Sequence, residues 1–124
     1  METGYTGWEL PADERARLLT QFPPRYERLV AHHATLEYGV PAGHPLPAAT
    51  VGEVLGSVDD ALGVQALIVA VDGTTERPDG STLHITWSLA ADRQPADSNI
   101  VIEEFGWRPA EPAVIRLVPR FFPM

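Results

Sequence analysis

The stretch VQALIVAVDGTTERPDGSTLHITWSL, residues 64–89, decides the fold. Its first part, Val64–Val71, is rich in branched apolar residues and contains one polar residue, Gln65, which predicts a buried central strand. The segment ERPDG (76–80) has the Pro-Asp-Gly chemistry of a turn. Thr82–Leu89 is therefore predicted to form the next strand and to pair with the first in antiparallel fashion.

Toward the N-terminus, one helix is expected among strands. Pro11–Phe22 predicts this helix, because Pro11 suits a first-turn position and the acidic residues behind it lie near the positive end of the helix dipole. Pro23 and Pro24 end it. Further strands are predicted at Tyr5–Leu10, Leu29–Tyr38 and Val51–Val58.

The remaining segments complete an α+β pattern. PAGHPLPA (41–48) contains three prolines and is predicted to be a loop. ADRQPADSN (91–99) is predicted to be a loop that leads into a short helix or turn. Additional strands are expected at Ile100–Glu103 and Ala113–Val118. This order favours an antiparallel sheet flanked by few helices, and a chain of 124 residues suits one domain, 1–124.

Composition restricts the class of partner. Nine basic residues, all arginine, stand against seventeen acidic ones, which gives a net charge of −8. Such a surface repels a long polyphosphate backbone, so duplex DNA is disfavoured and a nucleic-acid partner should be a nucleotide or a short RNA end. No apolar run approaches the ~20 residues of a membrane span, and the N-terminus lacks the basic region of a signal peptide. We therefore expect a cytoplasmic protein, and a monomer, since nothing resembles a coiled coil or a strongly apolar interface patch.

Two segments share one pattern: His33-Ala34-Thr35 and His84-Ile85-Thr86. Both lie in predicted strands, where residues i and i+2 point to the same face. Each strand thus presents an apolar face to the core and a His/Thr face to something polar. If the strands are close, two imidazoles and two hydroxyls share one cleft.

Such a cleft suits phosphoester chemistry. Histidine has an unperturbed pKa near ~6.5 and can accept or donate a proton at neutral pH. One imidazole can activate the nucleophile while the other protonates the leaving oxygen, and the hydroxyls of Thr35 and Thr86 can donate to phosphate oxygens. From the spacing alone, two structural histidines remain as good an interpretation as a catalytic pair.

Other residues have weaker claims. Tyr38 is a candidate for stacking on a base, and Arg93 is a candidate phosphate contact because its loop follows the second motif. Ser88 is predicted to share a face with His84 and Thr86 and is a candidate for lining the groove between the motifs. His32 is expected to point away from His33. A zinc site built from the four histidines is disfavoured, because His-x₃₋₅-His spacing with a carboxylate partner is missing; no metal or cofactor is expected.

The two motifs make the chain resemble the two-histidine (2H) phosphoesterase superfamily, which is defined by a pair of His-x-Thr/Ser motifs on pseudo-symmetric lobes. Leu83–Trp87, followed by Pro95-Ala96-Asp97-Ser98-Asn99, is similar to the cyclic-phosphodiesterase domain of plant and fungal tRNA ligases, where a His-Ile-Thr strand precedes a Pro-x-x-Ser-Asn loop. The likeness covers roughly residues 5 to 99.

The resemblance implies a two-lobed antiparallel sheet with the motifs in a central groove. It also implies a metal-independent hydrolase of 2′,3′-cyclic phosphates or related RNA-end phosphodiesters, with His33 and His84 as acid and base in an order left open. Thr35 and Thr86 would hold the phosphate. The alternatives are a non-catalytic nucleotide- or phosphate-binding module of the same fold, and an acidic interaction domain in which both motifs arose by chance.

Overall fold

A computed structural model describes residues 2–124 as one antiparallel sheet with two helices. No helix in this range is long and apolar enough to cross a membrane. The elements in chain order are β1 (Thr3–Glu9), α1 (Ala12–Gln21), β2 (Arg28–Leu29), β3 (His33–Pro41), β4 (Val51–Asp59), β5 (Val64–Ala70), β6 (His84–Leu89), α2 (Asp97–Phe105), β7 (Arg108–Arg116) and β8 (Val118–Pro123). The strands follow the order β7-β4-β5-β6-β3-β1-β8, with β2 paired to β6, and the sheet is curled. The predicted α+β class is confirmed.

The predicted hairpin lies at the centre of this sheet. β5 and β6 pair from Val64 opposite Leu89 to Ile68 opposite His84, and every residue of β5 is buried. The Gly80 N–H donates to the Arg77 carbonyl at 2.9 Å, which closes a turn over the Pro-Asp pair between them. Gly80 has φ +87°, a backbone conformation that glycine adopts without strain. The hairpin places this turn beside the first residue of β6.

The two helices cover opposite faces of the sheet. Leu67, Val69, Ile85 and Trp87 belong to the apolar core that includes Leu18 of α1. Val64, Ala66 and Ile68 alternate with Leu67 and Val69 along β5 and point to the other face. Leu89 joins them, because the pairing of β5 with β6 shifts register at Trp87 and breaks the alternation of β6. With Val58 of β4 and with Val101 and Ile102 of α2, these residues form a smaller core. The second face is thus only partly covered, and α2 lies over it.

The strand predicted at Ile100–Glu103 is wrong, because these residues form the middle of α2. Within this helix Ser98, Val101 and Ile102 are buried, a spacing that places them on one helical face. A short run of branched residues fits a strand or a helix equally well. Here the helix places the side chains of Val101 and Ile102 against β5. Gly106, at φ +68°, ends it.

The strand predicted at Leu29–Tyr38 is interrupted. Leu29 pairs with Ser88 and Ala34 with Ile85, so four residues on one side (30–33) face two on the other (86–87). These two extra residues form a bulge, and Ala31 within it has φ 45°. Bulges re-aim side chains near functional sites, and this one contains the first motif histidine.

Candidate active site

The four motif side chains line one cavity of about 130 Å³ on the α2 face of the sheet. Ala34 and Ile85 are opposite each other in β3 and β6 and both point into the core beneath α1. Their neighbours along each strand therefore project to the other face. Those neighbours are His33, Thr35, His84 and Thr86, and they meet there with Tyr38, Arg77 and Asn99.

His84 is held in a defined orientation. It is only 7 % exposed, and its Nδ1 lies 2.8 Å from the carbonyl oxygen of Thr82. Because a carbonyl only accepts, Nδ1 carries the hydrogen, and Nε2 is the nitrogen left for a ligand. Burial lowers the pKa of His84 and the Arg77 charge adds to this, while the bond to Thr82 acts in the opposite direction. The free protein therefore holds His84 as a neutral imidazole with an available Nε2 lone pair at neutral pH.

His33 is more exposed than His84 and lies among aromatic rings. Its ring centre lies 5.4 Å from that of Tyr5 and 4.9 Å from that of Phe122. Burial, followed by repulsion from His32 and His84, lowers the pKa of His33 to about 4. Both motif histidines line the same cavity, so a positive charge on one opposes a positive charge on the other.

His32 lies beside His33, and the expectation that it points to the opposite face is wrong. The two Nδ1 atoms are 3.0 Å apart and the ring centres 5.2 Å apart. Strict alternation would separate these rings, but the bulge that begins at Ala31 breaks the alternation. His32 is therefore a direct neighbour of the site, although it is exposed and does not line the cavity.

The two threonine hydroxyls differ in their partners. Thr86 Oγ1 lies 2.9 Å from Ser98 Oγ and 3.3 Å from the Pro95 carbonyl, both at the start of α2. Within residues 2–124, the Thr35 hydroxyl makes no hydrogen bond, and only its carbonyl is used, by Arg77. Thr35 thus has a hydroxyl free to bind a ligand, whereas Thr86 anchors α2 to the sheet.

Arg77 is a site residue that the sequence analysis missed. It is 6 % exposed and binds three neutral groups: the Ser81 hydroxyl at 2.7 Å, the Thr35 carbonyl at 3.3 Å and Asn99 Oδ1 at 2.6 Å. A guanidinium has five N–H bonds, so two remain without a partner in the described chain. The nearest carboxylate, Asp79, lies 4.0 Å away on the exposed turn. A buried cation with spare donors next to two histidines is suited to an anion.

Arg93, the predicted phosphate contact, lies elsewhere. Its guanidinium contacts Asp60 at 2.9 Å and Asp97 at 3.4 Å, and it also donates to the Leu62 carbonyl at 2.9 Å. It does not line the cavity. Only the Arg93 side chain turns away from the motifs, because Asp60 and the Leu62 carbonyl hold it against the loop that precedes β5. Pro95 and Ala96, two and three residues later, line the cavity.

Two further placements complete the comparison with the sequence. Tyr38 lines the cavity with a 64 % exposed side chain and stacks on Tyr5 at 4.9 Å. Ser88 is fully buried, and its hydroxyl binds Gln65 and the backbone N–H groups of Arg25 and Tyr26, so the idea that it lines the groove is wrong.

The missed residues carried a weak signal in the sequence. Arg77 lies in the ERPDG turn just before β6, so a hairpin at this position brings it next to His84 at the start of that strand. Asn99 lies in the Pro-x-x-Ser-Asn segment, whose pattern by itself assigns it no role. Pattern alone could not show that Arg77 would be buried with two N–H bonds unused and its nearest carboxylate, Asp79, 4.0 Å away.

A second, larger cavity of about 570 Å³ adjoins the first and shares Tyr38, Arg77 and Asn99 with it. Asp79, Ser81 and Glu103 line its far side. Cavities of this larger size hold small organic ligands, whereas the first one is below that range and suits a single compact group.

Comparison with family models, curated proteins and solved structures finds no match for the chain. The likeness to the two-histidine superfamily therefore depends on the two motifs and their setting. Residues 2–124 contain no cluster of three or more His, Cys, Asp or Glu side chains arranged to hold a metal ion.

Proposed function

We propose that the protein is a phosphodiesterase of the two-histidine type that hydrolyses 2′,3′-cyclic phosphates, with His33 and His84 as the proton-transfer pair. The observation that carries this is the convergence of both His-x-Thr motifs and the buried Arg77 on one cavity whose lining contains no carboxylate. The curled sheet would then be the two-lobed fold of that superfamily, with the seam between β3 and β6 as its groove.

The proposed reaction is the hydrolysis of one P–O bond of the cyclic phosphate. Water attacks the phosphorus atom, one imidazole takes the proton of that water, and the bond from phosphorus to one ribose oxygen breaks. The other imidazolium gives its proton to this oxygen, and the product is a phosphomonoester with a free hydroxyl. Each proton transfer contributes on the order of 10²–10⁴-fold to the rate.

The substrate must supply part of the protonation state. In the free protein the pKa values of His33 and His84 are lowered, so neither is a ready acid at neutral pH. A phosphate anion between them favours the charged form of an imidazole and raises its pKa. Binding of the anion thus creates the acid at the moment when the acid is needed.

Arg77 and Thr35 are assigned to the phosphate oxygens. Arg77 has two N–H bonds to offer and a guanidinium geometry that matches a phosphate, and the Thr35 hydroxyl is free. Tyr38, at the rim, is assigned to stacking on the base. Arg93 is given no part, because its charge is already matched by Asp60 and Asp97.

The proposal is tested by incubating the protein with nucleoside 2′,3′-cyclic phosphates in the presence of EDTA and following product formation. We expect turnover, and we expect Arg77→Gln to raise the KM and lower kcat/KM by at least tenfold. Arg93→Gln removes the same charge outside the cavity and should keep kcat/KM within about threefold. Because Arg77 is buried, thermal melting should accompany the assay, and Arg77→Lys, which keeps the charge, should recover part of the lost affinity.

A lack of turnover with every cyclic nucleotide would contradict the proposal. Nucleotide binding without hydrolysis would instead identify a binding module that uses the same cavity. Equal effects of Arg77→Gln and Arg93→Gln would contradict the assignment of the phosphate contact.

A further inference from the structure

The larger cavity shares Tyr38, Arg77 and Asn99 with the histidine cavity, so the body of a substrate can extend from the one into the other. The smaller cavity suits a phosphate group only. A nucleoside attached to that phosphate must therefore lie in the larger one, and this step rests on the proposed function. What lines the larger cavity then decides what else the substrate can carry.

Two acidic side chains line the outer part of that cavity and one cation lies at its inner end. Asp79 and Glu103 are both exposed, whereas Arg77 is buried between the two cavities. Asp79 is fixed in place, because it accepts hydrogen bonds from the Ser81 hydroxyl and the Ser81 backbone N–H. Ser81 in turn accepts from Arg77, so a hydrogen-bonded chain leads from the cation outward to the carboxylate.

This order of charges favours one phosphate and disfavours two. The inner cation is available to the cyclic phosphate held by the histidines. A second phosphate farther out would meet the carboxylates of Asp79 and Glu103, and none of the other side chains lining the outer cavity is cationic. Carboxylates accept hydrogen bonds, so they suit the hydroxyl and amino donors of a neutral nucleoside instead.

We infer that the substrate is a free nucleoside 2′,3′-cyclic monophosphate, whose only phosphate is the cyclic one, and that Asp79 and Glu103 select against additional phosphates. An RNA end carries a further phosphodiester on the 5′ side of its last nucleoside, and a diphosphate-linked nucleoside carries two. Both would place negative charge in the acidic part of the cavity. The net charge of −8 acts in the same direction over longer distances.

The test compares adenosine 2′,3′-cyclic phosphate with the same compound bearing a 5′-phosphate. We expect the extra phosphate to lower kcat/KM by roughly threefold to tenfold at low salt, since exposed carboxylates repel it through solvent. The difference should shrink at 0.5 M salt because of screening. Glu103→Gln should reduce the discrimination, while Glu104→Gln, its exposed neighbour outside the cavity, should not.

Binding gives a second measurement that does not need turnover. Calorimetry with adenosine 2′-monophosphate and adenosine 2′,5′-bisphosphate should show the same preference for the single phosphate. Equal or tighter binding of the bisphosphate, or discrimination unaffected by Glu103→Gln, overturns the inference. Absence of turnover with intact discrimination in binding overturns only the proposed hydrolysis, so the two failures are distinguishable.

Discussion

The two His-x-Thr motifs have the same pattern and very different surroundings. His84 and Thr86 are both buried and both held: Nδ1 of the histidine by the Thr82 carbonyl, and the threonine hydroxyl by Ser98 and Pro95. His33 is partly exposed and lies in a bulge against aromatic rings, and the Thr35 hydroxyl is unengaged.

This difference indicates a division of labour. The second motif is organised before any ligand arrives, because its hydrogen bonds fix the direction of each group. The first motif keeps its polar groups available, and in the proposed reaction the substrate would satisfy them. A repeated sequence pattern therefore does not mean a repeated environment: hydrogen bonds within the protein fix the second copy, whereas the first copy lacks them.

The largest expected effect is the loss of activity when either histidine is removed. His33→Ala and His84→Ala should each lower kcat by about 10²–10⁴-fold, because each removes one proton transfer. The kcat of the double variant should be only slightly lower than that of the less active single variant, because the effects of groups that act as one unit are not additive. Steady-state kinetics measures this, with His44→Ala, outside the cavity, as the control.

If the two losses multiplied, or if one variant kept full activity, the motifs would not act as a pair. In that case the common cavity would be a coincidence of packing.

A smaller effect should separate the two threonines. Thr86→Val leaves buried Ser98 and the Pro95 carbonyl without their partner, which should cost about 1–3 kcal/mol of unfolding free energy. Thr35→Val breaks no side-chain hydrogen bond of the free protein and removes, from a buried residue, a hydroxyl that has no partner in the described chain, so it should not lower stability, while it raises the KM. Urea denaturation together with kinetics distinguishes these results, and equal stability losses would contradict the division of labour.

A third effect concerns pH. In NMR titrations the His33 ring should change charge near the lowered pKa of about 4. The unfolded chain, with an ordinary pKa near ~6.5, takes up this proton at a higher pH. Unfolding is therefore favoured as the pH falls from about 6.5 toward 4, and stability recovers as the pH rises through the same window.

Two variants make this prediction specific. His33→Gln should weaken the pH dependence of the urea midpoint in that window. His32→Gln removes one of the repulsive neighbours and should move the His33 titration upward. A His33 midpoint near the ordinary value in the unsubstituted protein would contradict the buried, repelled environment.

The central hairpin could be predicted from the sequence because its signals are local and agree with one another. Val64–Val71 is apolar enough to be buried, and Pro78-Asp79-Gly80 forms a turn in almost any context. The His/Thr face of each strand followed from alternation. These features required no knowledge of distant contacts.

The errors arose where distant contacts decide. Ile100–Glu103 is helical because Val101 and Ile102 pack under β5. Arg93 is claimed by Asp60, a partner 33 residues away. The side-by-side arrangement of His32 and His33 depends on the register offset between β2, β3 and β6, which no local pattern encodes.

The contact between β3 and β6 is a narrow one: Ala34 opposite Ile85 is their one registered pair in the described chain, whereas β5 and β6 share five. The cavity straddles this join. A ligand that contacts both motifs would link β3 to β6 where the two strands share few hydrogen bonds. Ligand binding should therefore stabilise this part of the sheet and slow amide hydrogen exchange in both strands. By thermodynamic linkage, any substitution that weakens the contact between β3 and β6 should also lower the affinity for the ligand.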